Sequence, residues 1–241
     1  MITNKEIKLI KSLRHKKNRN NNNMFIAEGD KTILELIKNN FNPLNIYSIN
    51  NNLFFDVSII SRLELKKISN LSNPKDSLAI FQIPIIKKVD TSNLIVSLDC
   101  VNDPGNLGTI IRLCDWFGVK DIVCSKDTVD CYNPKVVQAS MGSLSRVNIS
   151  YLDLNKFLKR VNVPIYGTFM QGESIFNQDL INEGVFLFGN EANGISEDIL
   201  KYIDKKISIP RFGKLKKTES LNVANAAAII LAENSRKTIE K

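Results

Sequence analysis

Three short segments, far apart in the chain, concentrate the side chains able to do chemistry. The first is Asp103-Pro104-Gly105-Asn106-Leu107-Gly108 with Arg112, the second is Gly189-Asn190-Glu191-Ala192-Asn193-Gly194, and the third is Ile209-Pro210 followed by Glu219-Ser220-Leu221-Asn222. Their polar side chains include two amides, a carboxylate, a hydroxyl and a guanidinium, namely Asn106, Asn222, Glu191, Ser220 and Arg112. Amides and hydroxyls both donate and accept hydrogen bonds, a carboxylate accepts, and a guanidinium presents a planar fork of donors suited to an oxyanion. Such a set positions a reactant and clamps an anion. Other chemistries lack their parts. The sole histidine, His15, lies among Arg14, Lys16 and Lys17 and reads as a solvated member of a basic face, which excludes Ser-His-Asp catalysis and a zinc hydrolase; no metal site is expected. Neither G-x-G-x-x-G nor G-x-x-x-x-G-K-[ST] occurs. Cys100, Cys114, Cys124 and Cys131 form no CxxC pair in a chain too large to need disulfide staples, so they read as reduced thiols.

The elements that must position these residues alternate between apolar runs and helical patterns. Strands are predicted at Leu94 to Val101, Asp121 to Ser125, Val163 to Phe169 and Gly184 to Phe188, with another before Pro210. Helices are predicted at Asn106 to Phe117, Pro134 to Ser145, Ser196 to Ile203 and Ser220 to Glu233. Runs such as Leu-Ile-Val-Ser-Leu and Val-Phe-Leu-Phe lack polar alternation, as parallel strands covered on both faces do. The three segments then fall at carboxyl ends of strands or starts of helices, where open α/β sheets bind ligands. Each also has a purely local reading: Asp103-Pro104-Gly105 as a turn with Asn106 capping a helix, Gly189 and Gly194 as brackets of a loop entering a Ser196-capped helix, and Ser220 as the cap of the last helix. Trp116 and Phe117 read as core.

With 241 residues, 43% hydrophobic and 24% charged, the chain has a globular composition and the length of two domains. Its longest purely apolar run, Ala226 to Ala232, is far short of the ~20 residues that cross a bilayer, and no signal-peptide pattern opens the sequence, so a cytoplasmic protein without membrane attachment is expected. The net charge of +8 is unevenly spread: 15 basic and 8 acidic residues through Asp90, 18 and 17 after it, or +7 and +1. Lys5, Lys8, Lys11, Arg14, Lys16, Lys17 and Arg19 stand against Glu6 alone, a concentration that attracts polyphosphate. Ile7, Ile10 and Leu13 recur at spacing three, so an amphipathic helix with its cations outward is predicted, followed by a polar loop at Asn18 to Asn23. Met24 to Ala27, Asn45 to Ile49 and Leu78 to Ile83 read as strands. Asp30 reads as the cap of a helix carrying Ile33, Leu34 and Ile37, and Glu64 to Leu71 as another helix. The polar stretch Lys87 to Asn93 reads as the linker.

Taken in order, these motifs resemble the SpoU or TrmH group of RNA ribose 2′-O-methyltransferases, within the SPOUT superfamily. The first runs from Leu98-Asp99 through Asp103-Pro104-x-Asn106-x-Gly108-x-x-x-Arg112 into Phe117-Gly118-Val119. The second is Phe188-Gly189-Asn190-Glu191-x-x-Gly194-Ile195-Ser196, and the third is Ile209-Pro210 with Glu219-Ser220-Leu221-Asn222-Val223-Ala224. Ala139-Ser140-Met141-Gly142-Ser143 is also family-like. Lys11 to Arg19 with Phe25-Ile26-Ala27-Glu28-Gly29 resembles the L30e-like substrate-binding domain that many members carry. One departure is visible: the stretch with Arg211, Lys214, Lys216 and Lys217 is a few residues longer than the usual pattern.

The resemblance implies an α/β protein with a small L30e-like α/β sandwich at 1–88 and a parallel-sheet SPOUT domain at 94–241, the latter tied in a deep trefoil knot. It implies S-adenosylmethionine held by backbone around Thr168 to Gly172, Gly189, Asn190, Gly194, Ile209 and Leu221, and a homodimer, for which the small residues Ala224 to Ala228 offer a close-packing stretch or simply pack intramolecularly. It implies methyl transfer to a ribose 2′-hydroxyl with Asn106, Arg112, Glu191, Ser220 and Asn222 as the catalytic set, and RNA contacts at Lys11, Arg14, Lys16, Lys17 and Arg19. The family's arginine is described as a general base; a guanidinium stays charged near neutral pH, so a phosphate clamp that also stabilises a developing alkoxide fits Arg112 better. The expected substrate is structured RNA, 23S ribosomal RNA ahead of transfer RNA. The alternatives are a non-catalytic RNA-binding homologue and a base-modifying SPOUT enzyme.

Overall fold

Local chemistry starts the first helix. The Thr3 hydroxyl accepts from the Glu6 backbone N–H, the Glu6 carboxylate accepts from the Thr3 N–H at 2.8 Å, and together they close a capping box on α1 (Asn4–Ser12). In the computed structural model, which describes residues 2–51, 56–178, 182–213, 215 and 220–239, there follow α2 (Lys16–Asn22), β1 (Met24–Glu28), α3 (Asp30–Lys38), β2 (Pro43–Ser48), β3 (Ser58–Ile59), α4 (Arg62–Ile68) and β4 (Ser77–Gln82). The second run of elements is β5 (Leu94–Leu98), α5 (Pro104–Trp116), β6 (Asp121–Ser125), α6 (Pro134–Ser140), β7 (Asn148–Leu152), α7 (Leu154–Leu158), β8 (Ile165–Ser174), β9 (Gly184–Phe188), β10 (Lys205–Ser208) and α8 (Val223–Ile239).

The contacts divide these elements into two compact units, residues 1–85 with 130–146 and residues 86–129 with 147–241. The first is built on a four-stranded sheet in the order β1-β4-β2-β3, antiparallel except for the β2–β3 pair. Its core holds Ile10 of α1 and Leu13, which caps that helix, against Ile26, Tyr47, Leu65 and Ile80, while Lys5, Lys8, Lys11, Arg14, His15, Lys16 and Lys17 are exposed. Each fully buried Ile or Leu there contributes roughly 1.5–3 kcal/mol, so the apolar stripe, not the cations, holds α1 down.

Two expectations in this unit are corrected. Asn18 to Asn22 lie in helix α2, not in a loop, and Asn23 caps it in the left-handed region with φ 53°. The cause is tertiary: Arg19, only 2% exposed, turns inward, donating from Nε to Asp130 at 2.9 Å and from one terminal nitrogen to the carbonyls of Leu13 and Arg14, both at 2.9 Å. A bond of that strength overrides the weak helix propensity of an Asn-rich run. The segment 130–146 packs within this unit: Asp130 pairs with Arg19, the Tyr132 ring sits 4.8 Å from that of Phe25, and Arg146 pairs with Glu35 at 2.9 Å. Its predicted single helix stops at Ser140, where Met141 and Gly142 take positive φ and a 3-10 turn follows at Ser143–Ser145.

The second unit is a six-stranded parallel sheet in the order β10-β8-β9-β5-β6-β7. Phe186, Leu187 and Phe188 of β9 and Ile95, Val96 and Leu98 of β5 are 0% exposed, as two-sided coverage requires. Strand β7 and helix α7 were not anticipated; their polar Asn148, Ser150, Asp153 and Asn155 hide an edge strand and a short helix from a hydrophobic pattern. The helix expected at Ser196 to Ile203 is a run of turns with a 3-10 turn at Leu200–Tyr202, because Ile195 and Ile199 are drawn into the sheet's core and Ser196 caps nothing. Trp116 is not core: it is 83% exposed at the end of α5, beside a partly buried Phe117. The cap of α5 is Asp103, not Asn106, and the α8 N-terminus is held by Asn222, not Ser220. No helix among the described residues is long and apolar enough to cross a membrane.

Candidate active site

Asp103 opens α5 by accepting from the Asn106 N–H at 2.8 Å, with Pro104 filling the first helical position where a missing N–H costs nothing. Asn106 is thereby fixed in backbone and left with a free amide side chain. That amide donates to Glu191 at 2.6 Å and accepts from the Asn222 amide at 2.8 Å. The Asn222 oxygen in turn accepts from the N–H groups of Ala224 and Asn225 at 2.9 and 3.2 Å, capping α8. One hydrogen-bonded chain, Glu191–Asn106–Asn222, thus joins all three sequence segments. Its direction is determined: Glu191 only accepts, so Asn106 turns its NH2 to Glu191 and its oxygen to Asn222, whose own oxygen is left for the helix.

The Glu191 loop is built from backbone. Asn190 and Gly194 exchange two N–H···O bonds of 2.9 Å, and the Asn190 side chain accepts from Ala192 and Asn193 while donating to the Cys100 carbonyl at 2.7 Å. The Asn190 side chain is therefore committed to holding the loop. Asp99, 2% exposed at the end of β5, accepts from the Ser196 N–H at 2.8 Å and so pins the loop's exit. Asp99, quoted in the first motif without a role, and Asp103, read there only as part of a turn, thus position the loop and the helix that carry Glu191 and Asn106; for Asp99 a carboxylate directly after a largely apolar strand was the signal. Cys100 between them is held at φ 56°, its N–H donating to Ser125 Oγ at 2.9 Å.

The glycines are defined by what a side chain would meet. A Cβ on Gly189 would lie 2.2 Å from the Gly194 carbonyl carbon, and one on Gly172 would lie 2.6 Å from the Lys206 carbonyl oxygen. Both glycines admit backbone close against backbone. At Gly172 the reason is the register of β8 and β10, which runs Lys206 opposite Gly167 and then Ile207 opposite Glu173. Residues 168–172, including Thr168, are looped out of that pairing, and Ser208 Oγ ties the loop by donating to the Gly172 carbonyl at 2.9 Å. Gly194, with φ +70°, has open space where a Cβ would stand.

The remaining predicted residues are placed as follows. Arg112 is exposed on α5 with no hydrogen bond or ion pair among the described residues, and Ser220 is exposed; neither belongs to the hydrogen-bonded chain. Ile209 is partly buried and Leu221 is exposed, while Lys214, Lys216, Lys217 and Glu219 lie outside the described residues. Lys11, Arg14, Lys16 and Lys17 are exposed on the first unit, where Arg14 donates to the Ser69 carbonyl at 2.8 Å. Arg19 is buried and ion-paired, so it is a structural residue and not a surface RNA contact. No group of three His, Cys, Asp or Glu side chains suited to a metal occurs among the described residues.

Comparison with known proteins identifies what the chain is similar to. Residues 93–232 match the model of the SpoU rRNA Methylase family, and residues 4–79 match an MRM3-like substrate binding domain. The chain is 29% identical over 239 residues to the 23S rRNA (guanosine(2553)-2′-O)-methyltransferase RlmP of Bacillus subtilis, covering 95% of each protein. A TrmH-family protein from Porphyromonas gingivalis superposes with a TM-score of 0.89 at 32% identity, covering 98% of this chain and 99% of that one. An AdoMet-bound rRNA methyltransferase from Sinorhizobium meliloti superposes at 0.86 with 26% identity, over 98% of this chain and 96% of that one. With more than half its length matched, its three motifs in order and one side chain from each, Asn106, Glu191 and Asn222, joined in a hydrogen-bonded chain, the protein belongs to the SpoU rRNA methylase family.

Proposed function

We propose that the protein transfers a methyl group from S-adenosylmethionine to a ribose 2′-hydroxyl of 23S ribosomal RNA, in the cytoplasm and as a homodimer. The observation that carries this reading is the Glu191–Asn106–Asn222 chain, which joins residues from three motifs into one directed set of donors and acceptors. The named activities of the relatives support the substrate, as does the exposed cationic face of Lys11, Arg14, Lys16 and Lys17.

The residues present suit the cofactor. Gly194 leaves open space beside its backbone, exposed Leu221 and Met170 offer apolar surface for a purine, and the 168–172 loop stands clear of strand pairing. In this reading Thr168, Gly194, Ile209 and Leu221 hold the cofactor, while Gly172, Gly189 and Asn190 shape the loops that do so, and the chain after β10 passes through the loop before it as the expected knot. When bound, the cofactor supplies an electrophilic methyl group on a positively charged sulfur. Asn106 keeps Glu191 oriented as an acceptor, and Ser220 and Asn222 complete the polar wall against which the ribose is set. Arg112, exposed and without an ion pair among the described residues, clamps the phosphate beside the reacting ribose and stabilises negative charge on O2′ as its proton leaves.

Incubation of RNA with labelled cofactor, followed by nucleoside mass spectrometry, tests the reaction: a 2′-O-methylnucleoside is expected, and a methylated base or no product would overturn it. Mapping total RNA from cells with and without the protein separates ribosomal from transfer RNA. Arg112→Lys keeps the charge but loses the fork, so turnover should fall at least 100-fold with cofactor affinity by calorimetry within about twofold of wild type. Full turnover in that variant would remove Arg112 from the mechanism.

A further inference from the structure

The +1 charge of the chain beyond Asp90 hides a strong local imbalance. Residues 201–217 carry seven cations against Asp204 alone, +6 in seventeen residues, so the rest of that half is net −5. The structure gives the described part of this run a definite place. Strand β10 is an edge of the six-stranded sheet, and Lys205 and Lys206 are exposed on it, with Lys201 exposed in the turn before it. Successive strand residues point to opposite faces, so Lys205 and Lys206 bracket the free edge from both sides. Among the described residues none of the three ammonium groups pairs with a carboxylate. Each instead lies over an aromatic ring: Lys201 5.1 Å from the centre of Tyr202, Lys205 5.9 Å from Tyr166 and Lys206 5.2 Å from Phe169. Cations over rings keep their full charge for another anion. Phe212, after Ile209-Pro210, is 83% exposed and offers a face on which a base can stack.

We propose that Lys201, Lys205 and Lys206 form a phosphate-binding strip in the methylase unit, a second RNA contact surface separate from the cations of α1 and α2. The inference rests on the proposed RNA methylation. It adds that the unit bearing the reactive residues grips the RNA backbone itself, through a strand whose Lys206 carbonyl would meet a Cβ on Gly172 at 2.6 Å and whose Ser208 bonds the same loop. Phosphate held on β10 would therefore steady residues 168–172. Lysines on an edge strand also discourage edge-to-edge pairing, and that role alone predicts no effect on RNA.

The full-length protein and fluorescein-labelled single-stranded (U)20 RNA, titrated by anisotropy between 50 and 200 mM KCl, decide the matter. For K201Q/K205Q/K206Q we expect Kd at 50 mM KCl to rise at least tenfold and the slope of log Kd against log[KCl] to drop by roughly 2, about 0.7 per lost phosphate contact. The triple Lys→Arg variant should bind like wild type. Should the triple Gln variant fail to fold by circular dichroism, the single K205Q and K206Q variants should each lower the slope by about 0.7. Unchanged Kd and slope, with or without aggregation, would overturn the strip and leave the lysines as edge guards. Wild-type protein that methylates RNA while the variant binds normally refutes only this inference; wild-type protein that neither binds nor methylates RNA refutes the proposed function and this inference together.

Discussion

The inward Arg19 gives the sharpest quantitative test of how the first unit is held together. Its guanidinium serves three partners at once, the Asp130 carboxylate and the carbonyls of Leu13 and Arg14, while itself 2% exposed. Arg19→Met keeps the aliphatic stem but strands a carboxylate that is only 11% exposed and removes a donor from two carbonyls. Breaking a buried pair from one side costs roughly 3–5 kcal/mol, chiefly because the remaining charge has no partner. At about 4–8 °C per kcal/mol for a unit of roughly a hundred residues, the first thermal transition should drop by on the order of 15 °C or more. Arg19→Met combined with Asp130→Leu should recover a large part of that loss, since it removes both charges together. Calorimetry and urea unfolding followed by circular dichroism read both variants. A surface contact would behave otherwise: Lys16→Gln and Lys17→Gln should leave the transition within about 2 °C and weaken RNA binding. If Arg19→Met melted like wild type and lost RNA affinity as those variants do, the burial reasoning would be wrong and Arg19 would face the RNA.

Three further outcomes are expected. Gly189→Ala places a methyl 2.2 Å from the Gly194 main chain, so it should break the Asn190–Gly194 pairing and displace Glu191, lowering turnover at least tenfold while the Arg19-dependent transition stays put; normal turnover would show that the loop yields. The Thr3 hydroxyl, then the Thr3 N–H and the Tyr47 hydroxyl, hold the Glu6 carboxyl below its ordinary 4.5, so its contribution to stability is complete above that pH and is lost as pH falls through the lowered value. Thr3→Ala should move the Glu6 titration, followed by NMR, upward toward 4.5; no movement would remove the hydroxyl as the cause. Burial pushes the Cys114 and Cys124 thiols well above the usual thiol range, so at pH 8 a thiol reagent should leave both unlabelled in the native protein and modify all four cysteines in denaturant; rapid native labelling of either would contradict their enclosure.

What was legible in the sequence follows the kind of force at work. The buried strands β5, β6 and β9 lie where short runs rich in Val, Ile, Leu and Phe placed them, because a strand covered on both faces shows no regular polar alternation to misread. Strand β7, helix α2 and the turns after Ser196 were misread for the opposite reason. Their conformation is decided by partners distant in sequence: Asp130 for Arg19, the core beneath Ile195 and Ile199, and the neighbouring strand β6 for Asn148 to Leu152. The placement of 130–146 had the same origin, since nothing local in Asp130 or Tyr132 announces that one meets Arg19 and the other Phe25.

The site divides along a similar line. That Asn106, Glu191 and Asn222 come together was readable from motif order, but which amide faces which group was not, because an Asn side chain is nearly symmetric in shape and its direction is set by the one member that cannot donate. Glu191 is that member, and its carboxylate orders both amides and, through Asn222, the cap of α8. The glycines were readable as close-approach positions but not as to what approaches. Gly172 meets the Lys206 carbonyl only because β10 skips residues 168–172 of β8, a register jump that leaves no trace in the local pattern of either strand. That jump frees a loop of the second unit from strand pairing beside the third motif while Ser208 anchors its far end. A segment so placed is exposed to a ligand without being free to wander, which is what orienting a methyl donor against a ribose requires.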